Sequence, residues 1–260
     1  MSTSDILLTD RRDNVLRLTL NRPERRNALN DDLILALTQA LDDASQDPDI
    51  RAIVLTGSGD KAFCSGADLN PNAGTFGFDY SKPMSNYANL LRAGRRATVP
   101  VIGRVNGFCL AGGMGLLAIC DLAVASRSAK LGLPEVKVGL FPMQVAALLQ
   151  SMLPARKFAE MCYTGEMLTA DEALDCGLVN YVAEPEDLDA KTDWLLDRVV
   201  SKSPTAIRRG KYALSATSGM TFDQAIAFLE SQIGLMPLTE DAKEGLAAFA
   251  GKRAPEWTGR

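Results

Sequence analysis

Leu110-Ala-Gly-Gly-Met-Gly-Leu-Leu117 places glycines at 112, 113 and 115, between an apolar run ending at Val105 and another beginning at Leu116. Glycine inside regular structure costs about 0.5–1 kcal/mol, so such a cluster marks a close approach to the backbone. Ala62-Phe-Cys-Ser-Gly-Ala-Asp-Leu69 has the same character. Each stretch follows an apolar run that reads as a buried strand, Ile50–Leu55 for the first bend and Val99–Val105 for the second. In both, small residues leave backbone N–H groups able to point outward. The later cluster runs into a helix expected over Met114–Ile119, whose N-terminus adds unpaired donors and positive potential. Two such bends at one end of a sheet can set two donors around one oxygen. Each donor is worth about 3–4 kcal/mol to a developing oxyanion. For either bend alone, a tight turn that merely needs glycine is the competing explanation.

Outward from these bends, strand and helix alternate to about residue 180, which argues for an α/β core. Val15–Leu20 alternates apolar and polar as a half-buried strand does. Asn30 reads as the cap of a helix carrying Leu33, Ile34, Leu37, Leu41 and Ala44, with Asp31 and Asp32 in its first turn and Pro48 beyond its end. Leu122–Ala125 reads as another buried strand. Thr169 and Glu172 form a capping box that opens a short helix, which Gly177 would end. Asp187–Val200 has a helical pattern, Ser203-Pro204 opens a helix, Thr221 with Gln224 opens another, and Thr239 caps the last. The final stretch is expected to be all helical.

Composition narrows the chemistry. The chain has 260 residues, is 47% apolar and carries a net charge of −4, so neither nucleic acid nor an anionic membrane is an expected partner. No run approaches the about 20 apolar residues of a membrane span, and Met1–Asp5 shows no export signal. The five cysteines form no C-x-x-C pair, which suits reduced thiols and a cytoplasmic location. There is no histidine. That removes Ser-His-Asp and Cys-His catalysis and imidazole zinc sites, and no metal is expected. Proton transfer then falls to carboxylates, thiols, Lys, Tyr or water. Gly57-Ser-Gly-Asp-Lys-Ala62 fits the G-x-G-x-x-A of nucleotide folds, but Gly66 and Pro71 interrupt the helix that fingerprint requires.

Five stretches together resemble the crotonase (enoyl-CoA hydratase/isomerase) superfamily. They are Asn21–Leu29 (NRPERRNAL), the 62–69 bend, Val105–Leu116 followed by Cys120-Asp121, Leu133–Leu140 (LPEVKVGL), and Glu244–Arg253. The resemblance implies a spiral of ββα repeats over 1–195 and a helical trimerisation or lid region over 196–260. It also implies a homotrimer or dimer of trimers. The substrate it implies is an acyl-CoA thioester, with coenzyme A entering as part of the substrate and no separate cofactor. By the same resemblance Ala67 and Gly112 supply the two amides of an oxyanion hole, Gly113 leaves room for the helix, and Glu135 is the acid/base. Ala28, Asp68 and Leu69 fall in the binding motifs. Arg25, Arg26, Phe249 and Lys252 would meet the coenzyme, the last two from a neighbouring subunit. Residues 70–97, with Phe76, Phe78, Tyr80 and Tyr87, would shape the acyl pocket, and Gln144 would orient a water. The resemblance departs at Gly115, where well-known hydratases carry a second glutamate. Hydration of a 2-enoyl-CoA is the expected reaction. Δ3,Δ2-isomerisation by Glu135 alone and a non-catalytic acyl-CoA-binding homologue are the alternatives.

Overall fold

The computed structural model describes residues 6–70, 81 and 83–260. Its first sheet has six strands in the order β1-β2-β3-β5-β7-β10. These are β1 (Leu7–Arg12), β2 (Val15–Leu20), β3 (Ala52–Gly57), β5 (Val101–Val105), β7 (Leu122–Ser126) and β10 (Tyr181–Ala183). The β1–β2 pair is antiparallel and the remaining pairs are parallel. All six residues of β3 are buried, as expected of an unbroken apolar run inside a parallel sheet. The second sheet has four strands, β4 (Ala62–Cys64), β6 (Phe108–Leu110), β8 (Lys130–Gly132) and β9 (Met167–Thr169), in that order. Successive strands therefore go to different sheets: β3 then β4, β5 then β6, β7 then β8. This is the repeated turn of a spiral, with helices following the strand pairs.

Helix α1 (Asp31–Gln46) starts where expected. The Asn30 side chain accepts from the Leu33 N–H at 3.1 Å, and Leu33, Ile34, Leu37, Leu41 and Ala44 are buried. Helix α2 (Asn86–Arg96) is capped by Ser85 and buries Leu90 and Leu91. Helix α3 (Gly112–Ala118) grows out of the glycine cluster. Helices α4 (Met143–Leu149), α5 (Ala155–Thr164), α6 (Ala170–Asp175) and α7 (Leu188–Val200) follow. The end of the chain is helical, with α8 (Pro204–Thr217), α9 (Phe222–Leu235) and α10 (Glu240–Ala250). The expected caps are present: Ser203 accepts from Ala206, Thr239 from Ala242, and Glu172 closes the box with Thr169.

Polar clips hold this helical end to the core. Arg208 donates to the carbonyls of Asp47, Pro48 and Ile50, the last at 2.7 Å. Lys211 pairs with Asp121 at 2.6 Å and donates to Val99 O. Within the helical end itself, buried Asp241 accepts from Ser203, Thr205, Thr258 and Gly259. Burial opposes its charge, but these donors outweigh that and hold the carboxyl below its usual range.

Two expectations shift. The strand anticipated at Ile50–Leu55 sits two residues later, and one further strand, β10, lies just past residue 180. The loop after β3 enters β4 rather than a helix, so the dinucleotide fingerprint at Gly57–Ala62 lacks its geometry. The cysteines are free, with Cys176 partly buried and the other four buried.

Asn27 fastens the early motif to this frame. It is fully buried and sits at a left-handed φ of 56°, which asparagine tolerates better than most residues. Its Nδ2 donates to Ala62 O at 2.8 Å and Ser58 O at 3.0 Å, while Oδ1 accepts from the Arg22 N–H. Asn27→Ala strands several buried polar groups and is expected to cost about 2–4 kcal/mol, read as a lower midpoint in urea unfolding.

Candidate active site

Leu29 and Ala67 form an isolated parallel bridge. Leu29 N donates to Gly66 O, and Asp68 N donates to Leu29 O, both at 2.8 Å. In such a bridge the middle residue turns its own N–H to the opposite side, so the Ala67 amide faces away from Leu29. Gly66, at φ +98°, makes the turn; a Cβ there would lie 3.2 Å from Gly112 N and 2.7 Å from the Ala111 Cβ. The two bends therefore touch. Gly112 is the first residue of α3, where an N–H has no intrahelical acceptor. Among the described residues neither the Ala67 nor the Gly112 N–H has a hydrogen-bond acceptor.

Both residues line a cavity of about 510 Å³, and Glu135 lines it too. Glu135 lies in a 3-10 turn, Pro134–Val138, closed by Gly139 at a left-handed φ of 77°. Its Oε2 is buried and has no hydrogen-bond partner. Burial pushes its carboxyl above the ordinary value, only partly opposed by its own backbone N–H. Glu135 is the only carboxylate among the described residues lining the cavity. Two donor amides and one half-buried, unpaired carboxylate thus share a wall with Leu140, Phe141 and Met143. That is the equipment for stabilising negative charge on a carbonyl oxygen while moving a proton nearby.

A family model described as enoyl-CoA hydratase/isomerase matches residues 10–260. The chain belongs to that family. It is 33% identical to crotonyl-CoA hydratase of Syntrophomonas wolfei, over 97% of each chain. It is 35% identical to 2,3-dehydroadipyl-CoA hydratase of Escherichia coli, over 98% of this chain and 99% of the other. The solved enoyl-CoA hydratase of Mycobacterium smegmatis superposes with a TM-score of 0.89 at 34% identity, covering 97% of this chain and 98% of that one. The spiral of the crotonase superfamily, with its helical C-terminal region, is the fold of this chain.

The other anticipated residues take up different stations in this enoyl-CoA hydratase/isomerase fold. Leu69 is exposed on the cavity rim. Gln144 also lines the cavity, and its Nε2 donates to Ser85 Oγ at 2.7 Å, tying α4 to the cap of α2. Asp68 is buried and paired with Arg22 at 2.8 Å. Burial raises its pKa, but Arg22 and the Asn70 N–H outweigh that and hold it below the usual range. Gly113 packs against β4 instead of lining the cavity, since a Cβ there would meet Cys64 O at 2.3 Å. Ala28 is buried and offers its carbonyl to Arg22. Arg25 and Arg26 are exposed beside Ser65, and Arg26 borders a smaller cavity of about 220 Å³ with Lys61. Phe249 and Lys252, at the end of α10, are exposed and do not line the 510 Å³ cavity of their own chain. Phe76, Phe78 and Tyr80 lie outside the described residues.

Arg22 is the residue the sequence reading passed over. It joins Asp68 in one bend to the Ala28 carbonyl in the other motif, and so steadies the strand-like pairing that aims the Ala67 amide. No spacing rule links positions 22 and 68.

The raised pKa of Glu135 has a definite sign for stability. A carboxyl whose native pKa lies above its unfolded value favours folding at low pH, and that contribution is lost as pH rises through the native pKa. Glu135→Gln is therefore expected to raise the thermal midpoint at neutral pH. The gain should vanish at pH below the unperturbed value of 4.5, in parallel melts of the two proteins.

Proposed function

We propose that this chain is an enoyl-CoA hydratase, adding water across the 2,3 double bond of an acyl-CoA thioester or removing it to form that bond. The observation that carries the reading is that Glu135, whose buried Oε2 has no hydrogen-bond partner, lines the cavity that also holds the open amides of Ala67 and Gly112. The thioester oxygen accepts both N–H groups. Water oxygen bonds to C3 while the π electrons move toward C2 and that oxygen. Glu135 takes the proton released by the water and returns one to C2. The amides are placed before reaction, so they stabilise the enolate without reorganising, at about 3–4 kcal/mol per donor. The hydratase relatives support hydration over the alternatives. A single lining carboxylate also suits Δ3,Δ2-isomerisation, in which one base moves a proton between two carbons.

Arg25 and Arg26 are assigned to the coenzyme phosphates, as exposed cations on the motif adjoining the Ala67 bend. Phe249 and Lys252 are assigned to the coenzyme of a neighbouring subunit in a homotrimer. Exposed Leu214, Phe222, Ile233, Leu246 and Phe249 on α8–α10 support burial of this region against another copy. No helix among the described residues is long and apolar enough to cross a membrane.

The test follows the conjugated enoyl-thioester absorbance. With 2-enoyl-CoAs it should fall; activity confined to 3-enoyl-CoAs, with a rise in absorbance, replaces hydratase by isomerase, and binding with no turnover of any acyl-CoA leaves a scaffold. Glu135→Gln is expected to lower kcat by roughly 10²–10⁴-fold with coenzyme A affinity nearly unchanged. Since the base must be ionised, the acid limb of the wild-type kcat profile should fall above pH 4.5, the carboxyl's unperturbed value. Gly66→Ala, which forces a side chain between the bends at a left-handed φ, is expected to cost about 10²-fold in kcat, the scale of one lost oxyanion donor.

A further inference from the structure

A water molecule held for attack has two O–H hydrogens, and in a closed site each wants an acceptor. The Glu135 carboxylate, on the cavity wall, takes one. Among the described residues lining the cavity there is no second carboxylate, and the position where the resemblance puts one is Gly115. That position is not empty space. A Cβ on Gly115 would lie 2.0 Å from the Tyr87 Oη and 3.2 Å from its Cζ. Tyr87 reaches there from the first turn of α2 and lines the same cavity as Glu135. Its hydroxyl donates to Gly112 O at 2.6 Å. That uses its one hydrogen, so toward any further partner the oxygen can only accept. Burial, with smaller contributions from Cys64, Cys109 and Glu135, pushes the phenol well above its ordinary range and keeps it neutral.

We propose that Tyr87 is the second arm of the water site, its Oη accepting the hydrogen that the attacking water retains. This rests on the hydratase reading. Water oxygen bonds to C3, one proton passes to Glu135, and the other hydrogen stays on the new hydroxyl while hydrogen-bonded to Tyr87. The tyrosine proton stays on its bond to the Gly112 carbonyl throughout. In dehydration the same oxygen accepts from the departing hydroxyl.

The experiment compares two reactions in the wild-type chain and in Tyr87→Phe. One is hydration of a 2-enoyl-CoA. The other is exchange of the C2 proton of a saturated acyl-CoA with D2O, which uses Glu135 and both amides but no nucleophilic water. Tyr87→Phe is expected to slow hydration at least about tenfold, the scale of one hydrogen bond. KM and the exchange rate should stay within about threefold, less than 1 kcal/mol. A second pair of variants guards against misfolding. Tyr87→Ala alone should lose hydration, and Tyr87→Ala combined with Gly115→Glu should regain part of it, because a carboxylate then has the room that Oη held. If hydration and exchange fall together, Tyr87 only anchors the Gly112 bend and the water site is overturned. Unchanged hydration, or no rescue by Gly115→Glu, overturns it as well. A wild-type chain that exchanges the C2 proton but hydrates no enoyl-CoA overturns the hydratase reading together with the water site. A hydrating wild type with an unaffected Tyr87→Phe overturns the water site alone.

Discussion

The register between β4 and β6 is the constraint on which the site depends. Cys64 and Cys109 are partners across that parallel pair. Ala67 and Gly112 each lie three residues beyond their cysteine, so the pairing brings the two amides to one level. Two close approaches allow it. Gly113 lets α3 start against the Cys64 carbonyl, and Gly66 lets the first bend pass within contact of Gly112. A slip of one residue in a strand pair reverses which way every group points, and here it would turn one amide out of the cavity. The repeated turn thus does more than build two sheets. By delivering successive short strands to the second sheet, it places equivalent bends of successive repeats side by side.

Within that frame the distribution of charge is selective. Arg22 is committed to Asp68, below the first bend. Lys137 lines the cavity, yet its ammonium pairs with Glu166 at 3.0 Å. Glu135 Oε2 is left without a hydrogen-bond partner. A half-buried carboxylate without compensation is a liability for folding, and the protein keeps one on a turn fixed by Pro134 and Gly139. The same desolvation that opposes its charge raises its pKa toward a working pH, the direction that the proposed proton transfer between oxygen and carbon requires.

Much of this was legible in the sequence because its signals are local. Asn30, Ser203 and Thr239 announced helix starts through side chains only three residues from the amides they cap. The glycine bends declared themselves by composition, and Glu135 by its place in a motif. The second sheet was not legible, since β4, β6, β8 and β9 have three residues each, too few for a period to register. β1 also escaped, because five of its six residues are exposed and its Thr, Asp and Arg side chains do not read as a strand. Arg22 and Tyr87 act on residues 46 and 25 positions away, across contacts that exist only once the spiral has closed.

Gly115 is the instructive case. In the sequence it reads as a loss, a catalytic side chain replaced by hydrogen. In space it is half of an exchange, since the volume a side chain would need is held by a phenol from another helix. The exchange changes the electrostatics of the cavity. A second carboxylate beside Glu135 would add like-charge repulsion and couple the two titrations. A neutral phenol offers an oxygen without a charge, so Glu135 is raised by burial with no acidic neighbour among the causes. The same phenol is bonded to Gly112, one of the two amide-bearing residues. Side-chain identity at position 115 therefore cannot be judged apart from Tyr87: glycine there is what leaves room for the hydroxyl of a side chain that lines the same cavity as the carboxylate.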